Sequence, residues 1–587
     1  MGKYVGIDLG TTFSAVAYIN DAGNPELISH EHGKHTMPST ILFNNGKPVI
    51  GEKAKRKSIS DPKNYGSFVK RHMGEKEFRL INKNGESYRA EEISALILNK
   101  LKEVTESRLG ENIAGAVVTV PAYFSDPQRQ ATKDACQLAG IPLLELINEP
   151  TAAAIAFGYT RNPEKKQRVL IYDFGGGTFD VSILEIDDST IDVIATHGDH
   201  KLGGADIDKA LVDEFVRFAK KKGIDVTQDA KVLQNIWIEA ERVKESLSEN
   251  DDEELVVYVK GEEVSMPISK EDFEDIIYSI VSTTMGIMGY ARKEANITYD
   301  SLDKIILVGG STRIPLVKEL IEEETGIVPS SEVHPDEAVA IGAAYRALEL
   351  ANRKTKDTEH KENVFNSRYE NNDENKVDKS TTKSQNESAT YNADNTDNNL
   401  PELDKTYEFK DVTSHGIGVV AYDEDDGDYN SVVMPKNTHI PNEVVKDDYS
   451  ISPGQKEIFL QVTQGESEDL DYVLIVGTAH LDITPKDHRV PIAICVSCDE
   501  SALIHVYVYD MEDEVILGQA IVDRKQYNMS LDEIAEGQQK INKMLAKEQG
   551  FQTKEHVKPI NNFNIDMAQQ NLDGKNKFKR NKLYIGD

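Results

Sequence analysis

Cysteine is scarce in this 587-residue chain, three in all, so no disulfide framework holds the fold and a reducing compartment suits it. Positive charge is also short: 67 Lys and Arg face 101 Asp and Glu, a net charge of −34. So acidic a chain repels a phosphate backbone, which argues against nucleic acid as the main partner. Long apolar runs are missing too, and nothing approaches the roughly 18 residues that a membrane span needs. Residues 1–20 carry Asp8 and three glycines where a signal peptide would have its apolar run. These absences predict a cytoplasmic protein without membrane contact. Its length exceeds one hydrophobic core and sets a prior of about three or four domains.

What is present changes texture along the chain. Residues 1–351 read as α/β, with β-branched runs (Lys3–Ile7, Ala116–Val120, Arg168–Tyr172, Lys304–Val308) between helical segments such as Glu91–Leu109 and Ile276–Ala295. Residues 352–406 are crowded with Asn, Asp, Lys, Ser and Thr, and predict a disordered linker. Residues 407–525 show short strands (Gly418–Tyr422, Glu457–Thr463, Tyr472–Val476, Val490–Val496, Leu503–Tyr509) with turn residues between them, the pattern of an antiparallel β-sandwich. Residues 526–587 hold one helix, opened by the capping-box pair Ser530 and Glu533, then a polar tail with basic residues at 575, 577, 579, 580 and 582. Cys495 and Cys498 read as buried core cysteines of a strand rather than a redox pair, and Asp423–Asp428 as a solvated turn.

The chemistry lies in the first part. Asp8-Leu9-Gly10-Thr11-Thr12 is a strand, a tight turn and the start of a second strand. Its N–H groups and hydroxyls suit phosphate oxygens, and Asp8 suits Mg²⁺ held through water. Alone, such a turn is an ordinary hairpin. But Asp173-Phe174-Gly175-Gly176-Gly177-Thr178 repeats Asp, Gly and Thr in the same order, followed again by an alternating strand. An internal repeat of this kind suggests two related lobes facing each other across a nucleotide. Neither turn leads straight into a helix, which excludes the Walker loop and the dinucleotide fingerprint.

A third turn, Gly309-Gly310-Ser311-Thr312-Arg313, does precede a helix. Pro315 suits its first turn, Ser311 or Thr312 its cap, and Arg313 suits stacking on a base. Glu149 follows a strand end, where it could orient a water, and Lys70 is an isolated candidate to neutralise phosphate charge.

These motifs resemble those of the DnaK-type heat-shock chaperones, within the actin-like ATPase superfamily. The likeness runs through Ile7–Thr12, Val120–Phe124, Gln128–Asp134, Asn148–Ala154, Asp173–Val181, Leu202–Asp206, Glu241–Leu247, Gly309–Pro315 and Pro335–Ala344. It implies an α/β two-lobed actin-like ATPase domain, then an antiparallel β-sandwich and a short helical tail. By the same resemblance Asp8, Lys70, Glu149, Asp173 and Thr178 are catalytic, and Asp8 and Asp173 organise Mg²⁺. ATP or ADP is held by Gly10, Thr11, Thr12, Gly175, Gly176, Gly177, Thr178, Gly203, Gly204, Glu241, Lys244, Ser248, Gly309, Gly310, Ser311, Thr312, Arg313 and Asp336. Glu149 couples the nucleotide to Pro121 and Arg129. The implied partners are extended apolar peptides or unfolded proteins, a J-domain co-chaperone and a nucleotide-exchange factor.

Beyond residue 351 the likeness thins to Met434–Pro441, Phe459–Glu466, Met529–Ile534 and Asp411-Val412-Thr413. Before Asp411, Tyr407-Glu408-Phe409-Lys410 brings two charges where the family's linker is aliphatic. With the added disordered stretch this predicts weakened docking of the two domains, by about 1–2 kcal/mol for loop closure. A single helix in place of a helical lid predicts fast peptide exchange. The reading is an ATP-dependent chaperone-like protein. Its rivals are an ATP-binding scaffold for one dedicated partner and a small-molecule kinase of the same superfamily.

Overall fold

The computed structural model describes residues 2–44, 47–161, 165–353, 400–401, 403, 405–423, 425, 427–520 and 527–548. Most of the expected 352–406 linker, and the tail with its basic cluster, lie outside them.

Strands β1 (Lys3–Leu9) and β2 (Phe13–Ile19) form the first hairpin. Helix α1 (Ala90–Leu109) leads through a left-handed Gly110 into β3 (Ile113–Val120), parallel to β1. Helix α2 (Asp126–Leu138) opens on Ser125, whose N–H donates to Gln128 Oε1 at 3.0 Å. Strand β4 (Leu143–Asn148) completes the first sheet's parallel edge and runs into α3 (Glu149–Arg161). The second sheet repeats the plan. Its members are β5 (Gln167–Phe174), β6 (Phe179–Ile186), β7 (Thr190–Asp199) and, after α4 (Gly204–Lys221), α5 (Ala230–Leu247) and α6 (Lys270–Glu294), β8 (Lys304–Val308). Helix α7 (Pro315–Thr325) begins at its proline with Ile314 as cap, and a helix over 338–353, α8, closes the domain.

Between the sheets lies a core shared by both, built from α3, α8 and the inner strand faces. The helices cross so closely that a Cβ on Gly342 would sit 1.7 Å from the Ala152 carbonyl oxygen. Only glycine permits that approach.

The segment 407–412 is where the structure departs most from the sequence reading. Glu408–Val412 forms β9, hydrogen-bonded parallel to β7, and His439–Ile440 (β12) pairs beyond it. The second lobe's sheet therefore continues out into the sandwich. The two charges do not oppose docking, because strand alternation turns them outward. Glu408 and Lys410 side chains are 70% and 44% exposed, while on the opposite face Tyr407 is 1% exposed and Phe409 packs against the core between the sheets. The register thus removes the predicted penalty from these two residues.

The sandwich itself has two four-stranded antiparallel sheets. One comprises β10 (Ile417–Asp423), β11 (Gly427–Met434), β14 (Glu457–Gln464) and β15 (Leu474–Asp482); the other β13 (Asn442–Ile451), β16 (Val490–Cys498), β17 (Ile504–Asp510) and β18 (Val515–Ala520). Tyr472, predicted to start a strand, ends a 3₁₀ turn instead. Cys498 is buried as expected, but Cys495 is only half-buried. The last helix, α9 (Leu531–Glu548), does not stand away as a tail. Met529, Ile534, Ile541 and Met544 enter the core of the first lobe, and Lys540 Nζ meets Glu92 at 2.8 Å.

Candidate functional site

Asp8 and Asp173 sit at equivalent places, next to last in β1 and β5, and each strand runs into a glycine turn. The second turn closes through Gly175 N–H to the Thr178 carbonyl at 3.1 Å. The two turns touch across the lobes. A Cβ on Gly176 would lie 1.7 Å from Thr12 Oγ1, and one on Gly177 2.3 Å from Thr11 Oγ1. Any larger residue would drive them apart.

Above this contact opens a cavity of about 680 Å³. Of the predicted set, Asp8, Gly10, Thr11, Thr12, Lys70, Glu149, Asp173, Gly175–Thr178, Glu241, Lys244, Ser248, Gly309, Gly310, Ser311, Arg313 and Asp336 line it. Gly203, Gly204 and Thr312 do not. Gly204 N–H donates to the Gly175 carbonyl at 3.0 Å, so these glycines buttress the Gly175–Thr178 turn from behind. Thr312 is buried and donates to the Gly309 carbonyl at 2.6 Å. Neither Thr312 nor Ser311 caps α7; Ser311 Oγ instead donates to the Gly175 carbonyl at 2.9 Å, tying the third turn to the second. Arg313 is paired with Asp336 at 2.6 Å.

The electrostatics are lopsided. Lys70 Nζ contacts Glu149 Oε1 at 2.5 Å, and both are buried. Desolvation, then the Glu149 charge, raises the pKa values of Asp8 and Asp173 above the usual carboxylate range. The same two causes push Asp180 up to about 8. Lys70 bears on all three and cannot neutralise them together with Glu149. Crowded oxygen donors of this kind fit a hard divalent cation such as Mg²⁺. Thr12 Oγ1, buried with no partner, is a further unsatisfied atom at the same place.

Some contributors escaped the sequence reading. Lys55 Nζ meets Glu241 at 2.6 Å, closing one side of the cleft. Arg71 donates from Nε to the Gly177 carbonyl at 2.9 Å and pairs with Asp206, so it clamps the Gly175–Thr178 turn from the first lobe. Its place beside Lys70 was the one available signal.

The cleft reaches the linker through four consecutive residues. Glu149 faces Lys70, while its neighbours Asn148 and Thr151 donate to Asp411 Oδ2 at 3.0 and 2.9 Å. Arg129 donates to Asn148 Oδ1 at 2.7 Å and to the Ala122 carbonyl at 3.0 Å, which joins the residues after Pro121 to the same junction. Asp126 then receives the sandwich: Ile504 N–H donates to its Oδ1 at 3.0 Å, and its own N–H donates to Gln464 Oε1 at 2.9 Å. Among the described residues no helix is long and apolar enough to cross a membrane.

Comparison with known families gives one finding. The family model described as Hsp70 protein matches residues 4–365 and 400–583.

Proposed function

This chain belongs to the Hsp70 protein family, and from that premise we propose that it hydrolyses ATP in the two-lobed cleft to gate peptide binding by its β-sandwich. Members of the family are ATPases that use ATP or ADP with Mg²⁺ and engage unfolded polypeptides and co-chaperones. The observation that carries the gating is the Asn148–Thr151 segment, which meets Lys70 on one side and Asp411 on the other.

In this reading the turns at Gly10–Thr12 and Gly175–Thr178 hold the β- and γ-phosphates through N–H and hydroxyl groups. Mg²⁺, carried by Asp8 and Asp173, supplies charge neutralisation to the phosphates. Lys70 takes the developing negative charge of the transferred group, and Glu149 orients the attacking water. Thr178, which lines the cavity, donates its hydroxyl to a phosphate oxygen in this reading. Glu241, Lys244, Ser248, Gly309–Arg313 and Asp336 hold the adenosine. No covalent intermediate is needed, since positioning and charge carry the barrier. A change at Glu149 alters the seat of Asp411, and with it the docking of β9 and the sandwich. The sandwich takes extended apolar peptide by backbone hydrogen bonds and side-chain pockets.

Steady-state ATPase with and without Mg²⁺ and an unfolded peptide tests this. Hydrolysis that needs Mg²⁺, rises with peptide and falls in Thr178→Ala supports it. Phosphate transfer to a sugar would favour the kinase reading. A peptide array bound at one sequence alone, unchanged by ATP, would favour the dedicated scaffold.

A further inference from the structure

Histidines gather at one place where the sandwich meets the two-lobed domain. His415, in the turn between β9 and β10, lies against Tyr123 of the first lobe with ring centroids 4.2 Å apart. The same Tyr123 ring stacks on His197 of β7, centroids 5.2 Å apart and planes within 11°. His197 also stacks on Tyr290 of α6 at 5.7 Å. From the sandwich, Lys436 Nζ stands 5.4 Å from the centre of the Tyr123 ring and pairs with Glu294 of α6 at 2.9 Å. Asn437, beside it, donates to Glu294 Oε2 at 3.2 Å and accepts from Thr196 N–H at 3.2 Å. One aromatic stack thus joins both lobes and the sandwich, with two imidazoles in it.

The charges around these rings are uneven. His415 is faced by Lys436 from the β11–β12 turn, Arg129 from α2, and His197 and His200 from β7 and the turn after it. Burial and then these groups all act against a proton on His415, and the hydrogen bond to Ser414 Oγ at 3.0 Å holds the ring in place. His197 is faced by Lys436, which opposes a proton, and by Glu294 at 3.8 Å, which favours one; burial and Lys436 prevail, and its pKa is lowered. Lys436 arrives only with the sandwich, so docking itself adds the opposing charge. His200 is faced by Asp199, Lys201, Glu75 and Arg71, and burial lowers it too. One group at the interface acts the other way: burial raises the Asp411 carboxyl.

We propose that docking of the β-sandwich on the two-lobed domain requires neutral His415 and His197, so that mild acid releases the sandwich and its linker strand. The sign follows from linkage. A histidine free in water titrates near 6.5, and docking lowers that value. Docking is therefore favoured above about pH 6.5 and weakens toward about tenfold per pH unit below it through His415, with His197 adding to the slope in the same direction. A cell compartment or stress that moves pH across that window would shift the protein toward its undocked form without any change of nucleotide. The inference stands on the interface and needs no assumption about which peptide is bound.

The test uses the full chain carrying dyes on Lys221→Cys and Glu457→Cys, two exposed sites on α4 and β14, with Cys495→Val. Energy transfer is read from pH 7.5 to 5.5 at constant ionic strength with saturating Mg-ATP. The undocking equilibrium constant of the wild type is expected to rise about fivefold or more between pH 6.5 and 5.5. His415→Leu should flatten most of that rise and His197→Asn part of it. Should His415→Leu fail to dock at pH 7.5, the slope is read on His415→Gln and His197→Asn. A wild type whose docking is flat across the window overturns the proposal. So does an equal slope in the wild type and in the His415 and His197 variants.

Discussion

Replacing Tyr407 by alanine should free the linker, whereas replacing Lys410 by leucine should leave it docked. Tyr407 is 1% exposed, its hydroxyl donates to the Gly158 carbonyl at 2.9 Å, and its ring meets Tyr159 edge-on at 5.1 Å. Truncating a buried aromatic of this size costs about 3–5 kcal/mol, here charged against docking, so the docked population should fall at least about 100-fold relative to undocked. Lys410 faces outward with its Nζ 4.0 Å from Glu408. An exposed pair at that distance is worth about 0–1 kcal/mol, so Lys410→Leu should change docking less than about fivefold. Interdomain energy transfer in the ATP-bound protein reads both. Equal losses in the two variants, or a larger loss in Lys410→Leu, would refute the register and with it the claim that strand alternation absorbs the two charges.

Other outcomes follow from single contacts. Lys70→Ala should lower single-turnover hydrolysis about 10²–10³-fold while ATP binding changes only a few-fold, because the lost donor acts on charge that develops in the transition state. Gly177→Ala should weaken ATP binding at least tenfold by calorimetry, since its Cβ would fall 2.3 Å from Thr11 Oγ1. Ile541→Asp removes about 1.5–3 kcal/mol of apolar burial and would bury a charge, so α9 should leave the first lobe and release Lys540 from Glu92 to trypsin. The lobe itself should stay folded, with its Tm within a few degrees of wild type.

Much of the cleft between the lobes was legible because each of its parts is local. Asp8 with Gly10–Thr12, and Asp173 with Gly175–Thr178, are turns whose residue types follow from backbone geometry and phosphate chemistry over six or fewer positions. Parts that depend on distant packing were not. Gly203 and Gly204 support the Gly175–Thr178 turn rather than line the cavity, a distinction that needs the position of α4. Arg71 and Lys55 reach across to the other lobe, and no short pattern announces such a reach. The linker is the clearest case. Composition alone made Glu408 and Lys410 look damaging, yet in a strand only alternate residues meet the neighbour, and the pair falls on the solvent side. Likewise α9 has an ordinary amphipathic stripe in sequence, and only the fold shows that α1 and α2 receive it.

The central claim is that the cleft and the sandwich share one junction, Glu149 toward Lys70 and its neighbours toward Asp411. Peptide-stimulated ATPase of Asp411→Ala beside the wild type tests it most directly. The account predicts that basal Mg-ATP hydrolysis survives within a few-fold while the rise on adding peptide disappears. Full peptide stimulation in Asp411→Ala would contradict it.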